Sequence, residues 1–77
     1  MGIMRYNIDG YFNKWQVQKL KAVIDDMTYL NFKFDYANAG ANNYVAWVES
    51  DRAETQKELK EAFTWFVLSE LADRINL

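Results

Sequence analysis

The stretch YVAWVES, residues 44–50, decides the fold because it carries apolar side chains on both of its faces. Successive side chains of a strand point to opposite sides of the sheet. Ala46 and Val48 therefore share one side, whereas Val45 and Trp47 share the other. A strand that is apolar on both sides is usually central in its sheet, so we expect this stretch to have a neighbouring strand along each edge.

Two other stretches alternate between apolar and polar residues, which is typical of half-buried strands. Residues 4–9, MRYNID, form the first strand, and Gly10 is expected to end it. Residues 29–36, YLNFKFDY, form the second. Residues 37–43, ANAGANN, are rich in Asn and contain Gly40, and both residue types tolerate the backbone conformations of turns. We therefore expect a hairpin loop that joins the second strand to YVAWVES.

Apolar residues recur at helical spacing between the first two strands, which predicts an amphipathic helix over residues 13–27. Asn13 and Gln16 fit the pattern of a capping box at its start. The apolar side of this helix consists of Val17, Leu20, Val23, Ile24 and Met27.

A second helix is expected over residues 52–75. Asp51 and Glu54 fit a capping box at its start, and Ser50 is a rival cap. Acidic residues in the first turn of a helix interact favourably with the helix dipole.

The order strand, helix, strand, strand, helix predicts a single α+β domain over residues 1–77. Residues 1–3 are expected to be disordered or derived from a tag, with Met4 near the natural start. A right-handed parallel crossover from the first strand to the second, with the third strand central, predicts a three-stranded mixed sheet of order 2-3-1. Both helices are expected on one face. This βαββα arrangement resembles a ferredoxin-like fold that lacks its last strand, and the likeness is architectural only.

Composition excludes several kinds of reactive site. The chain has no His and no Cys, so imidazole bases and thiolate nucleophiles are absent from its chemistry. Asp25 and Asp26 are adjacent and would point about 100° apart on a helix. Asp35 and Glu49 are expected to face each other across the hairpin, where like charges disfavour each other. We therefore predict no catalytic residue, no metal site and no cofactor, in a protein that is not an enzyme.

Charge and hydropathy bear on location and partners. The net charge of −2 disfavours nucleic acid as a partner, because nucleic-acid binders usually present a basic face. No apolar run approaches the roughly 20 residues of a membrane span, and the N-terminus lacks the apolar core of a signal peptide. We expect a cytoplasmic protein without membrane contact.

The stretch AFTWFVLSELA, residues 62–72, is apolar in eight of its eleven positions. At 100° per residue, one side of this helix, which should face the sheet, consists of Leu59, Phe63, Phe66 and Val67. A second side, here named the outer stripe, consists of Trp65, Leu68, Ala72 and Ile75. Leu71 lies between the two. Either the first helix covers the outer stripe, as two helices side by side on a sheet would require, or another protein or a second copy of the chain does.

The other two tryptophans are also candidate binding residues. Trp15 lies off the apolar arc of the first helix, where it either packs on a neighbouring loop or contributes to a protein interface. Trp47 lies on the strand YVAWVES. If this strand directs Glu49 into water, Trp47 lies on the open sheet face with Val45 and Lys33. The opposite orientation places Trp47 in the core. An exposed Trp on an open sheet favours recognition of a protein or stacking of nucleic-acid bases.

These patterns predict a small non-enzymatic protein-binding module, acting through the C-terminal helix or the open sheet face, with a homodimer as one form of the contact. An accessory or inhibitor protein of the kind that phages and mobile elements carry is an example. The alternative is a single-stranded nucleic-acid binder that uses the sheet face around Trp47. The absence of a basic surround makes that alternative the less favoured.

Overall fold

The computed structural model describes residues 2–71. Its elements are, in order, β1 (Met4–Phe12), α1 (Lys14–Asp26), β2 (Lys33–Asn38), β3 (Tyr44–Ser50) and α2 (Gln56–Phe66), which continues as a π-helical turn (Val67–Leu71). The domain is therefore of the α+β class. Among residues 2–71, neither helix is long and apolar enough to cross a membrane.

The sheet has the order β1-β3-β2, so the predicted strand order and the central position of β3 are confirmed. The prediction of a mixed sheet is wrong, because β3 pairs antiparallel with both of its neighbours. The crossover through α1 leaves β1 and β2 running in the same direction. β3 lies between them, however, so that no two adjacent strands are parallel.

β1 continues through Gly10 instead of ending there. Ile8 lies opposite Ala46 and Phe12 lies opposite Tyr44, so four steps along β1 match two steps along β3. Gly10 has a φ of +92°, a conformation that glycine adopts at little steric cost. The glycine therefore forms an edge bulge, and Phe12 returns to the core side of the sheet.

One cluster of buried side chains lies between the sheet and the two helices. β3 contributes Ala46 and Val48 and β2 contributes Phe34, all of them buried. Trp47 is on the opposite parity and lies on the open face. The buried residues of the helices are Val17, Leu20 and Ile24 in α1 and Leu59, Phe63 and Phe66 in α2. Both helices therefore occupy one face of the sheet.

The capping box predicted for α1 is confirmed. The Asn13 side chain accepts a hydrogen bond from the Gln16 N–H at 2.8 Å, and the Gln16 side chain accepts one from the Asn13 N–H at 3.0 Å. β2, in contrast, begins at Lys33, four residues later than predicted. The chain turns between α1 and β2, and Phe32 is buried from that connection, outside any strand.

α2 also begins four residues later than predicted. Thr55 is its N-cap, and its hydroxyl accepts a hydrogen bond from the Glu58 N–H at 3.0 Å. The Glu58 carboxylate accepts one from the Glu54 N–H at 3.0 Å. Thr-x-x-Glu is the spacing of a capping box, so the signal was present in the sequence. Ser50, the rival cap, instead accepts hydrogen bonds from the turn that follows β3.

Each edge strand has a backbone carbonyl that is bound by a side chain from the helix above it. The Gln56 side chain donates to the carbonyl of Arg5 in β1 at 3.0 Å. The Lys21 ammonium donates to the carbonyl of Phe34 in β2 at 3.2 Å. Because unpaired edge groups are a template for the addition of further strands, these contacts disfavour growth of the sheet at either edge.

The end of α2 departs from regular helical periodicity. At 100° per residue, Phe66 and Leu71 would lie about 140° apart. The turn Val67–Leu71 is π-helical, and hydrogen bonds in a π-helix join residues five apart, so residues five apart lie nearly above one another. Phe66 and Leu71 are both buried, with 0% and 1% of their surface exposed. The wider turn therefore adds Leu71 to the core, although the α-helical wheel placed it between the two sides.

Deleting Ser69 should leave the protein folded. Leu71 would then follow Phe66 by four residues, and a regular α-turn would keep both side chains on the core side. Urea denaturation followed by circular dichroism should give a free energy of unfolding within about 1 kcal/mol of the parent, the range of changes that leave core packing intact.

A deletion of Ala62 is the matched control. It would turn Phe63 and all later residues by about 100° relative to Leu59, so that large side chains leave the core. The free energy of unfolding should fall by about 3 kcal/mol or more, the effect of losing one large buried side chain. Equal destabilisation by the two deletions would contradict the role given to the π-helical turn.

Candidate functional site

Two residues of the outer stripe, Trp65 and Leu68, are exposed at the C-terminal end of α2. Trp65 has 57% and Leu68 has 76% of its surface exposed. Glu61 and Thr64, which lie on the same side of the helix, are exposed as well. The other two members of the stripe, Ala72 and Ile75, lie outside the described residues. Trp65 and Leu68 are therefore not covered by α1.

The connection between α1 and β2 packs against α2. Phe32 contacts Phe63 and Phe66 edge to face, with ring centroids 5.8 and 5.7 Å apart. The Tyr29 hydroxyl donates a hydrogen bond to the Glu70 carboxylate. α1 lies mainly over β2, whereas α2 lies mainly over β1. The two helices therefore lie over different parts of the sheet, and Trp65 and Leu68 are on a side of the C-terminal helix that neither the sheet nor α1 buries.

The open sheet face carries a compact group formed by Arg5, Trp47 and Glu49. Nη2 of Arg5 lies 2.8 Å from Oε1 of Glu49, and Nε donates to the same oxygen at 3.2 Å. The indole N–H of Trp47 donates to that oxygen at 2.9 Å. The Arg5 guanidinium also lies over the Trp47 ring, 4.3 Å from its centroid. One carboxylate thus holds a cation and an indole together.

The sheet register decides which charges meet on this face. Glu49 lies opposite Arg5 on β1 and opposite Lys33 on β2. Its carboxylate pairs with Arg5, and within residues 2–71 Lys33 makes no ion pair. Asp35 lies opposite Trp47. The prediction that Asp35 and Glu49 face each other is therefore wrong, because the hairpin register makes them diagonal neighbours.

Hydrogen bonding controls the ionisation of Glu49. The hydrogen bond from Arg5 is the main cause that holds the pKa of this carboxyl below its ordinary value of 4.5. The bond from Trp47 acts in the same direction, whereas partial desolvation and the charge of Asp35 oppose it. The carboxylate is consequently ionised at neutral pH, which the group with Arg5 requires.

Arg5 is the residue of this face that the sequence reasoning overlooked. It belongs to the polar positions of the alternating stretch MRYNID, which point away from the core, so the sequence already contained the signal. Its guanidinium covers part of the Trp47 ring. Stacking of a nucleic-acid base on that side of the ring would require Arg5 to move away.

Trp15 lies in the first turn of α1 and is exposed. The neighbouring Lys14 N–H donates to the Asn42 side chain at 3.3 Å, which places the β2–β3 loop beside this turn. Tyr11, at the end of β1, is exposed too and was not singled out from the sequence. Within residues 2–71 no ring contact joins Trp15 to Trp65.

Comparison with known proteins gave no match: no family model, no curated protein and no solved structure matches the chain. Within the described part of the chain, no group of three or more acidic side chains is arranged to hold a metal ion. The exposed surfaces of the domain are therefore the basis for assigning a function.

Acidification should release the Trp47 indole from Glu49. Because the pKa of Glu49 is lower in the folded than in the unfolded state, its pairing contributes stability above the ordinary value of 4.5. That contribution is lost as the pH falls through the folded pKa. In a nitrogen-15 NMR titration, the indole N–H of Trp47 should shift with a midpoint below 4.5.

The exposed indoles of Trp15 and Trp65 are internal controls and should not follow this transition. Glu49→Gln should remove it, whereas Asp35→Asn should retain it. A midpoint at or above 4.5, or a transition that survives in Glu49→Gln, would contradict the arrangement.

Proposed function

We propose that the chain is a small non-enzymatic protein-binding module whose docking surface is centred on Trp65 and Leu68. The observation that carries this proposal is the exposure of both side chains, 57% and 76%, on one side of a helix. Contiguous apolar patches on the surface of a domain often mark interaction sites. Tryptophan is also enriched among the residues that dominate binding energy at interfaces.

The size of the surface indicates what the partner has to provide. Trp65 and Leu68 together would remove on the order of 200 Å² from water, whereas a stable interface buries about 800 Å² on each side. The partner has to cover the polar neighbours Glu61 and Thr64 as well. An apolar groove with a polar rim, which receives one side of a helix, matches this requirement.

Other surfaces of the domain are less suited to a protein partner. Gln56 and Lys21 already bind backbone carbonyls of the two edge strands, so strand addition at these positions would displace existing hydrogen bonds. The open sheet face presents the Arg5–Glu49 ion pair, whose charges would have to be desolvated. Burial of Trp65 and Leu68 by a partner requires neither the loss of these hydrogen bonds nor the desolvation of this ion pair.

The proposal includes two kinds of partner, a second copy of this chain or another protein. It also includes a role as an accessory or inhibitor protein of phage or mobile-element type, for which a small binding domain of 77 residues is suited. The lack of Cys supports a cytoplasmic location. The strand order with a crossover between non-adjacent strands supports the likeness to a ferredoxin-like fold without its last strand.

Single-stranded nucleic acid at the Trp47 face is the less supported function, because Arg5 covers the ring and because Asp35 and Glu49 are acidic. In a variant with Trp15→Phe and Trp65→Phe, Trp47 is the remaining tryptophan. Its fluorescence should not change when oligonucleotides are added at low salt. Quenching that weakens as salt rises would favour nucleic acid instead.

Leu68→Glu should weaken association with the partner by about 2 kcal/mol or more, as expected for a central interface residue. The free energy of unfolding should change by no more than about 0.5 kcal/mol, because the side chain is exposed. Lys57→Glu, on the same helix, is the control for added negative charge and should affect association less. Light scattering across a concentration series measures the case in which the partner is a second copy.

A photocrosslinker tests both kinds of partner. Because the chain has no Cys, Thr64→Cys provides a single attachment point beside Trp65, and Gln18→Cys provides one on α1 as a control. Thr64→Cys should form an adduct, in pure protein or in an extract of the source cells, that unlabelled parent protein competes away. Unlabelled Leu68→Glu should not compete. Absence of any adduct with this competition pattern would overturn the proposal.

A further inference from the structure

A cleft of about 470 Å³ lies at the end of the sheet where β3 ends and β2 begins. Its walls come from residues 28–33 and residues 49–52, and Ile3 lies at its margin. Leu30 provides most of the apolar lining, and Phe32, with 7% of its surface exposed, adds a small part. Small-molecule sites in proteins usually measure about 300–1,000 Å³, so the cleft is large enough for a ligand.

Hydrogen bonds of the Ser50 hydroxyl connect the two walls of this cleft. Its side chain is buried, with 6% of the residue exposed, and its hydroxyl donates to the Asn31 carbonyl at 2.5 Å. The same oxygen accepts the N–H groups of Arg52 and Ala53 at 3.0 and 3.3 Å. The Arg52 guanidinium donates to the Asn31 side chain at 2.9 Å. These four hydrogen bonds shape the cleft before a ligand enters, which lowers the entropy lost on binding.

The cleft holds charges of both signs that are not neutralised by one another. Lys33 lies opposite Glu49, whose carboxylate is bound by Arg5 at 2.8 Å. The guanidinium of Arg52 has five N–H donors and, within residues 2–71, donates from its side chain only to an amide oxygen. Asp51 also lines the cleft and makes no ion pair with the described residues.

We propose that this cleft binds a small zwitterion with an apolar body, such as a free amino acid with an aliphatic or aromatic side chain. A bare anion would meet the carboxylate of Asp51, and a bare cation would meet Lys33 and Arg52. A zwitterion provides an opposite charge for each, through charge-assisted hydrogen bonds. Its apolar body contacts Leu30 and Phe32. The cleft does not include Trp65 or Leu68, so this site is independent of the protein-binding surface.

A titration with L-leucine tests the site, monitored by NMR on nitrogen-15-labelled protein. The backbone amides of Asn31, Ser50 and Asp51 should shift in a saturable manner, with a dissociation constant of about 1 mM or lower. N-acetyl-leucine lacks the ammonium group and leucinamide lacks the carboxylate. Each should bind at least about tenfold more weakly, because each loses one charge-assisted hydrogen bond.

Charge-neutralising variants assign the two ends of the ligand. Lys33→Gln should weaken leucine about tenfold and leave leucinamide unchanged. Asp51→Asn should weaken leucine by a similar factor and leave N-acetyl-leucine unchanged or bound more tightly. Both positions are exposed, and the NMR spectrum itself reports whether each variant is folded. Lys57→Gln and Asp9→Asn, which lie outside the cleft, are the matched controls.

Two results would overturn the proposal. One is the absence of saturable shifts at about 10 mM leucine, ten times the expected dissociation constant. The other is equal weakening by the control variants, which would show that the effect is one of overall charge and not of this cleft.

Discussion

The central strand β3 needs hydrogen-bond partners along both edges and cover for its apolar side chains. These two requirements determine where the other strands and the helices lie. Its backbone groups need hydrogen-bond partners along both edges, and β1 and β2 provide these. Its side chains Ala46 and Val48 need to be shielded from water, and both helices do this from the same side. Within residues 2–71 both helices lie on that side, so the described part of the chain leaves the opposite face of the sheet open, and this face carries polar and charged side chains.

A single carboxylate organises the open face. Glu49 is flanked by one cation on each neighbouring strand, and it binds Arg5, which also covers Trp47. Lys33 is left without an ion pair within the described residues and lies where the face meets the cleft at the end of β3. The pairing of Glu49 with Arg5 therefore leaves the Lys33 ammonium available at the proposed ligand site. The same Glu49 carboxylate also accepts the hydrogen bond of the Trp47 indole N–H.

The C-terminal part of α2 and the turn that follows it have one buried side and one exposed side. Leu59, Phe63 and Phe66 belong to the core, and the π-helical turn brings Leu71 to them. Trp65 and Leu68 remain outside, because α1 lies over the far part of the sheet and because Phe32 fills the space beside α2. The domain thus exposes two large apolar side chains at the end of α2 and has a cleft lined by charged residues at the end of the sheet.

The sequence by itself determined the α+β class, the strand order, the central place of β3 and the capping box of α1. These depend on side-chain alternation, helical spacing and contacts three residues apart, which are all visible locally. Only the tertiary structure decided that Glu49 binds Arg5 and not Lys33, that every strand pair is antiparallel, that Gly10 is a bulge and that α1 does not cover Trp65. Each of these outcomes depends on register or distance between segments far apart in the chain. Such quantities are set by how the elements pack together, and no local pattern of residues encodes them.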